Sequence, residues 1–506
     1  MQLIKESISN FIKVALITFS AAFLMNSCAL KSPFTHSQNS HPKKNSQASS
    51  PPRILTSHQT HALLSKWSQN NYQSLPAHTI TYTSHHPLAE KFTSIKSGYT
   101  ISPLSRRTKG IGLAAVIKIK SKNSSTFTPI TKDAYLTNLQ PATLVATQTR
   151  NRTNGKLTTH IDIYDPRTSK HQGQPLTHQP KIVMNYLNDL PGNSTLDIKG
   201  LIRPQKYSNF QGFYLAEPYD RNRIPVIMIH GLASSPETFM DMSEAINANP
   251  QLRKKYQLWY YFYPTGTPWL VTSSQFRKSY RALIKKIAPN KNDSNIRKTV
   301  LIGHSMGGLI ARISLSLPDD ILHKAYLGNI QHSKIFRDAE LQKIHDYFHF
   351  KPLTEPATVI YLATPHQGSR IADGLIGWIT IKLITIPTFI LQQTADALTP
   401  GHRARRNLPD HTRKLLSTGE SSVNQLQPTN PSLIALNKMP VRKGVKSYSV
   451  VGDMGKPILN LQTDGVVSYQ SAHLPKNNTE FIIPANHDIC DEKEAIQAVI
   501  KILSNK

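Results

Sequence analysis

The chain has 506 residues, 60 Lys plus Arg against 30 Asp plus Glu, a formal charge of +30, two cysteines and 39% hydrophobic residues. Two cysteines exclude a disulfide framework or a cysteine-based zinc module, and the hydrophobic fraction excludes a polytopic membrane protein. The length implies several domains at roughly 100–200 residues each, and the charge points to nucleic acid, to a membrane surface, or to basic composition alone.

Residues 1–27 stand apart from any fold. Lys5 and Lys13 precede an uncharged apolar run from Val14 to Met25, too short to span a bilayer as a helix. That is the layout of a secretory signal peptide. The run ends in Leu24-Met25-Asn26-Ser27-Cys28, which resembles the lipobox of bacterial lipoproteins, with Met25 in place of the usual Leu and Ser27 as the small residue before the cut. The resemblance implies a lipidated Cys28 as the mature N-terminus, on the bacterial cell envelope and facing the periplasm or exterior. Ala29 is not the Asp of inner-membrane retention, which favours the outer membrane. An ordinary cleaved signal and an uncleaved anchor are the alternatives. With Cys28 lipidated, Cys490 has no partner and no disulfide is expected. Residues 28–53 are mostly Ser, Asn, Gln, His, Pro and Lys, too polar to offset the entropy of ordering, and read as a flexible tether. The nearby histidines (His36, His41, His58, His61, His85 and His86) have no metal-ligand spacing, so no metal is expected.

Residues 54–215 read as a smaller β-rich N-terminal domain, with a β-sandwich as one arrangement. Its short apolar or alternating runs are Ile111 to Ile119, Ala142 to Thr147, Leu157 to Ile163 and Ile182 to Tyr186. Asn154-Gly155 between two of them signals a hairpin. No catalytic cluster is visible there.

From residue 216 to 506 strands alternate with helical stretches, the pattern of a doubly wound, mostly parallel α/β sheet. Pro225 to Ile229 is a buried strand, and Ser235-Pro236 opens a helix to about Asn247. Leu258 to Tyr263 is the next strand and 273–288 the next helix. Thr299 to Gly303 runs straight into Ser305. Val359 to Ala363, Tyr448 to Val451 and Phe481 to Ile483 follow as strands. A last helix starts after Asp491, with Glu494 completing a capping box and Ala495, Ile496, Val499, Ile500 and Leu503 as its buried stripe.

Gly303-His304-Ser305-Met306-Gly307 fits G-x-S-x-G between a strand and a helix, a turn that strains and exposes its serine. A serine hydroxyl needs a base and a carboxylate that orients the base. In chain order Ser, Asp, His, the candidates are Asp464, in Thr463-Asp464-Gly465, and His487, after the last strand. Asp453 and His473 are rivals. Charge on the attacked oxygen requires backbone N–H donors. Met306 at the helix N-terminus and Leu232 in His230-Gly231-Leu232 are the candidates for this oxyanion hole, with His230 and His304 as packing residues.

Residues 221 to the C-terminus resemble the α/β-hydrolase superfamily, and more narrowly bacterial lipase-like serine hydrolases. The resemblance rests on His230-Gly231-Leu232, Tyr263-Pro264-Thr265-Gly266, Gly303 to Gly308, Ala363-Thr364-Pro365-His366-Gln367-Gly368-Ser369 and Thr463 to Val467, in that order. It implies a Ser305–His487–Asp464 triad, an oxyanion hole at Leu232 and Met306, and carboxylic ester hydrolysis without a cofactor. A cap insertion is expected at about 369–444, where Leu375 to Leu391 is apolar but broken by Lys382 and Pro387. The same residues also suit a thioesterase, a GPI-inositol-deacylase-like enzyme, an amidase or an acyltransferase. A non-catalytic envelope binding protein is the reading from another class.

The charge is spread along the chain: residues 29–220 hold 23 Lys plus Arg against 8 Asp plus Glu. No nucleic-acid-binding motif accompanies it. The expected partners are therefore an acyl ester or lipid substrate and a membrane, met through the anchor and a basic surface, and not nucleic acid.

Overall fold

A computed structural model describes residues 49–69, 75–85, 110–118, 127–137, 139–177, 210–289, 293–328, 347–369, 410, 424–455, 458, 462–474 and 478–505. The signal segment, Cys28, most of the tether, the strand expected at Ile182–Tyr186 and the apolar run Leu375–Leu391 lie outside them.

The first described elements are β1 (Arg53–Ile54), α1 (Ser57–Gln69), β2 (His78–Ser84), β3 (Leu113–Lys118), β4 (Phe127–Thr131), β5 (Ala134–Thr137), β6 (Leu139–Arg150), β7 (Leu157–Tyr164), β8 (Lys170–His171) and β9 (Gln174–Pro175). Strands β1, β6, β7 and β2 pair in that order, and β3 also pairs with β6. The expected hairpin joins β6 to β7: Arg150 faces Leu157, and Gly155 takes a positive φ of 67° in the turn. Along β7, Thr159, Ile161 and Ile163 are buried in alternation, so one face of this sheet is apolar. Helix α1 covers that face with Leu63, Leu64 and Trp67, against Ala115, Ile117, Leu144 and Ile161. Each buried Leu or Ile among them contributes about 2 kcal/mol. Among the described residues it is a helix, and not a second sheet, that covers this face.

The chain continues through β10 (Gly212–Leu215), β11 (Ile224–Ile229), α2 (Met240–Ala248), α3 (Pro250–Lys255), β12 (Tyr256–Phe262), α4 (Trp269–Ile287), β13 (Val300–His304), α5 (Met306–Leu315), α6 (Ile321–Leu327), β14 (Thr358–Leu362), α7 (Pro431–Lys438), β15 (Lys446–Gly452), α8 (Tyr469–Ala472), β16 (Asn478–Ile483) and α9 (Lys493–Ser504). These strands form a nine-stranded sheet in the order β16-β15-β14-β13-β11-β12-β10-β5-β4. The six from β16 to β12 are mutually parallel, whereas β10 runs antiparallel to β12. Both faces are covered. Ile227, Ile229, Leu301 and Tyr361 pack on one side with Trp269, Phe276, Leu309 and Leu433 of α4, α5 and α7. Val226, Met228, Ile302 and Val450 pack on the other with Met242, Ile246, Val499 and Leu503 of α2 and α9. Chain order reverses at β11, which lies between β12 and β13, so their carboxyl ends border the crevice where α/β sheets hold ligands.

Two local expectations change. Helix α9 forms no capping box: a 3-10 turn over Ile489–Asp491 takes up Asp491, and Glu492 precedes the helix with no side-chain cap. Its most buried residues include Ala498 and Ile502, while Ile496 and Ile500 are only partly buried. The main sheet also crosses the division expected at residue 215, because β4, β5 and β10 extend it. Residues Ser49–Lys506 form one compact unit.

An ion cluster ties the small sheet to the large one. Arg167 Nη1 lies 2.9 Å from Glu217 Oε1 and its Nη2 2.8 Å from Asp165 Oδ2, while Arg223 Nη1 lies 2.7 Å from Glu217 Oε2. Nearby, Gln140 Nε2 donates to the Ala216 carbonyl at 2.7 Å. Glu217 is thus shared by two guanidiniums that are mostly out of water. Glu217→Gln removes the shared charge and is expected to lower stability by about 3 kcal/mol. A shift of the urea midpoint at constant slope checks this, and an unchanged midpoint contradicts it.

Candidate active site

Ser305 sits between β13 and α5 with φ 51° and ψ −123°, a conformation that residues with a side chain resist. The turn depends on its glycines. A Cβ on Gly303 would lie 2.5 Å from the Gly307 carbonyl oxygen, and a Cβ on Gly307 would overlap the Ile229 carbonyl of β11. Glycine lets α5 start hard against the sheet. The Ser305 N–H donates to the Leu362 carbonyl at 2.8 Å, and the Gly308 N–H to the Ser305 carbonyl at 2.9 Å.

His487 follows β16. Its Nε2 is 2.9 Å from Ser305 Oγ and its Nδ1 is 2.8 Å from Asp464 Oδ2. One tautomer satisfies both contacts: the serine hydroxyl donates to Nε2, and Nδ1–H donates to the carboxylate. Asp464 is 2% exposed. Its Oδ1 accepts the Val466 and Val467 N–H groups at 2.9 and 2.6 Å, leaving Oδ2 for the imidazole. The rivals lie elsewhere. Asp453 Oδ1 accepts the Gly455 N–H at 2.9 Å, closing its own turn. His473 Nδ1 is 3.1 Å from Glu480 Oε2 with a 40% exposed side chain. The structure brings Ser305, His487 and Asp464 together and leaves Asp453 and His473 out.

The two expected oxyanion donors lie on turns that border the serine. A Cβ on Gly231 would be 2.9 Å from Ser305 Cβ, so the His230-Gly231-Leu232 turn abuts it. Beyond Leu232, the Ala233 N–H donates to Thr265 Oγ1 at 3.2 Å, and Ala233 has φ 52°. Met306 is fully buried as the first residue of α5, where leading N–H groups lack intrahelical acceptors and the helix dipole is positive.

Three buried histidines stand at or just past the carboxyl ends of β11, β13 and β14. His230 stacks on Tyr263 with centroids 4.3 Å apart, and its Nε2 accepts the Tyr263 N–H at 3.3 Å. Burial pushes its pKa down to about 3. His304 Nε2–H donates to the His487 carbonyl at 2.9 Å. Burial first, and the nearby His487 second, push His304 down to about 4. His366 Nδ1 faces Arg312 Nη1 at 3.3 Å, and burial followed by the Arg312 charge holds it well below the usual range. Arg312 Nη1 also donates to Asn437 Oδ1 at 2.9 Å, and Asn437 Nδ2 to the His366 carbonyl at 2.8 Å, joining α5, the loop after β14 and α7.

Sequence reasoning passes over Thr265, Arg312 and Asn437. Thr265 lies within a motif already noted. Arg312 and Asn437 lie on largely apolar helices that also carry Ser314, Ser432 and Lys438, and no local signal marks them. Among the described residues no group of three or more His, Cys, Asp or Glu is disposed to hold a metal ion.

Residues 220–327 match a family model described as a PGAP1-like alpha/beta domain. No curated protein sequence matches the chain. Among solved structures, the mature form of Bacillus licheniformis lipase BlEst2 is 17% identical with a TM-score of 0.34, over 57% of this chain and 97% of that one. Lipase 1 from Pelosinus fermentans is 14% identical with a TM-score of 0.32, over 56% and 98% of the two chains. Staphylococcus hyicus lipase is 12% identical with a TM-score of 0.33, over 57% and 99%.

The buried histidines predict an acid-labile fold. His230, His304 and His366 stay neutral in the folded chain below the ordinary value of 6.5, whereas the unfolded chain binds a proton at each. Their contribution is therefore fully present above 6.5 and declines as the pH falls below it; for His230 and His304 the loss approaches about 1.4 kcal/mol per pH unit each between about pH 6 and pH 5. Urea midpoints at about pH 7 and about pH 5 check the sign, and a flat profile over that interval contradicts it.

Proposed function

We propose that this chain, which has the α/β-hydrolase fold, is an envelope-anchored serine hydrolase that cleaves carboxylic esters bearing an acyl chain. The reading is carried by one observation, the unbroken hydrogen-bond chain from Ser305 Oγ through His487 to Asp464 on the strained turn. In this mechanism Ser305 Oγ attacks the ester carbonyl and its proton passes to His487 Nε2. The Leu232 and Met306 N–H groups meet the negative charge on the substrate oxygen. His487 returns the proton to the departing alcohol, leaving an acyl ester on Ser305. Water, deprotonated by His487, then attacks that ester, and the carboxylic acid leaves as the serine recovers its proton. Asp464 holds the imidazole in the required tautomer and offsets its transient positive charge.

In the same reading Cys28 carries the lipid, residues 28–53 serve as tether, and the net positive chain lies against anionic headgroups. Each Lys or Arg near such a surface adds about 1 kcal/mol before screening.

Ester hydrolysis is tested with p-nitrophenyl esters of graded acyl length. Ser305→Ala and Asp464→Asn are each expected to lower kcat by about 10⁴-fold, and the double variant little further, because the three residues act as a unit. Equal rates for wild type and Ser305→Ala would refute the mechanism. A preference for the shortest acyl groups would remove long-chain lipids as substrates.

The membrane claim needs Cys28→Ala, which separates the charge from the anchor. That soluble form is expected to bind anionic vesicles at low salt and to leave them at high salt. Indifference to vesicles at low salt would reduce the charge to composition.

A further inference from the structure

We propose that His304 is a positioning residue for the general base: its ring N–H fixes the backbone of His487, and with it the imidazole that serves Ser305. The inference rests on the reading of Ser305 and His487 given above and adds a residue to it.

His304 is the last residue of β13, paired with Leu362 of β14, so its backbone is set by the interior of the parallel sheet. His487 belongs to a loop after β16, the edge strand, with β14 and β15 standing between the two. The His304 Nε2–H bond to the His487 carbonyl, 2.9 Å long, crosses that gap directly. It ties the base loop to the residue preceding the nucleophile. The two imidazoles are tilted at 45° with centroids 5.1 Å apart.

The other ring nitrogen shows what the side chain is for. Among the described residues His304 Nδ1 is buried with no hydrogen-bond partner. Gly231 leaves room beside it, since a Cβ there would stand 3.1 Å from Nδ1. A bare buried nitrogen is a cost that a phenylalanine or leucine in the same space would not carry. Among the described residues the ring's one hydrogen bond is the one it makes to His487. Burial also keeps His304 neutral. It therefore donates an N–H without placing a second positive charge beside an imidazolium.

The test compares wild type, Ser305→Ala, His304→Phe, His304→Leu and His304→Gln by ester kinetics, fluorophosphonate labelling rate and thermal midpoint. His304→Phe is expected to lower kcat by about 10- to 100-fold, with KM changed by less than about 2-fold and labelling slowed by the same factor as kcat. His304→Gln, whose amide N–H can restore the bond, regains most of the loss. A residue that only fills space would lower the midpoint and leave the kcat of the folded protein unchanged; that result, or no rescue by Gln, overturns the proposal. If His304→Phe does not fold, His304→Leu against His304→Gln makes the same comparison, and equal kcat overturns it. An unlabelled wild type would instead refute the serine-hydrolase reading, so the two failures are distinguishable.

Discussion

A serine at the end of a parallel strand stands clear of its neighbours only if the backbone makes a turn that side-chain-bearing residues resist. Ser305 does so at φ 51°, and the surrounding structure holds it there. Helix α5 begins against the sheet because Gly303 has no Cβ to collide with the Gly307 backbone and Gly307 none to collide with β11. The strain is local, and it is over-determined by the Leu362 carbonyl on one side and the buried apolar face of α5 on the other. Everything else at the site is arranged around a hydroxyl fixed in this way.

That arrangement keeps charge scarce. Asp464 is the acid that meets His487, and its carboxylate accepts two backbone N–H groups and one imidazole. The histidines around it are held neutral by burial, so they shape loops without adding to the field that a protonated His487 would feel. Arg312 is buried with neutral partners, His366 and Asn437, and joins α5 to the elements on either side of residues 370–423. A preorganised, low-charge surround makes each remaining dipole count for more than it would in water.

Much of this is legible in the sequence because it depends on local rules. The strand runs around β11, β12 and β13 are continuous apolar segments, and G-x-S-x-G between a strand and a helix identifies Ser305. Chain order admits Asp453 beside Asp464 and His473 beside His487, and only the distances separate them. What escapes depends on tertiary packing. Helix α1 carries Leu63, Leu64 and Trp67 at helical spacing within a polar stretch, a signal weak enough to pass as loop. The pairing of β4, β5 and β10 with the main sheet is long-range and leaves no mark on the short strands themselves. The capping box at Asp491 reads well locally, but a 3-10 turn takes that residue first. The contacts of His304 and Arg312 reach loops more than 50 residues away, where no local pattern can point.

The central claim is that the Ser305 hydroxyl is an activated nucleophile. The most direct measurement is peptide mass spectrometry after reaction of the native chain with a fluorophosphonate, which phosphonylates an activated serine and releases fluoride. The account predicts one adduct per chain, on Ser305, lost when the protein is unfolded before the reagent is added. A native chain with no adduct, or with the adduct on another residue, would contradict it.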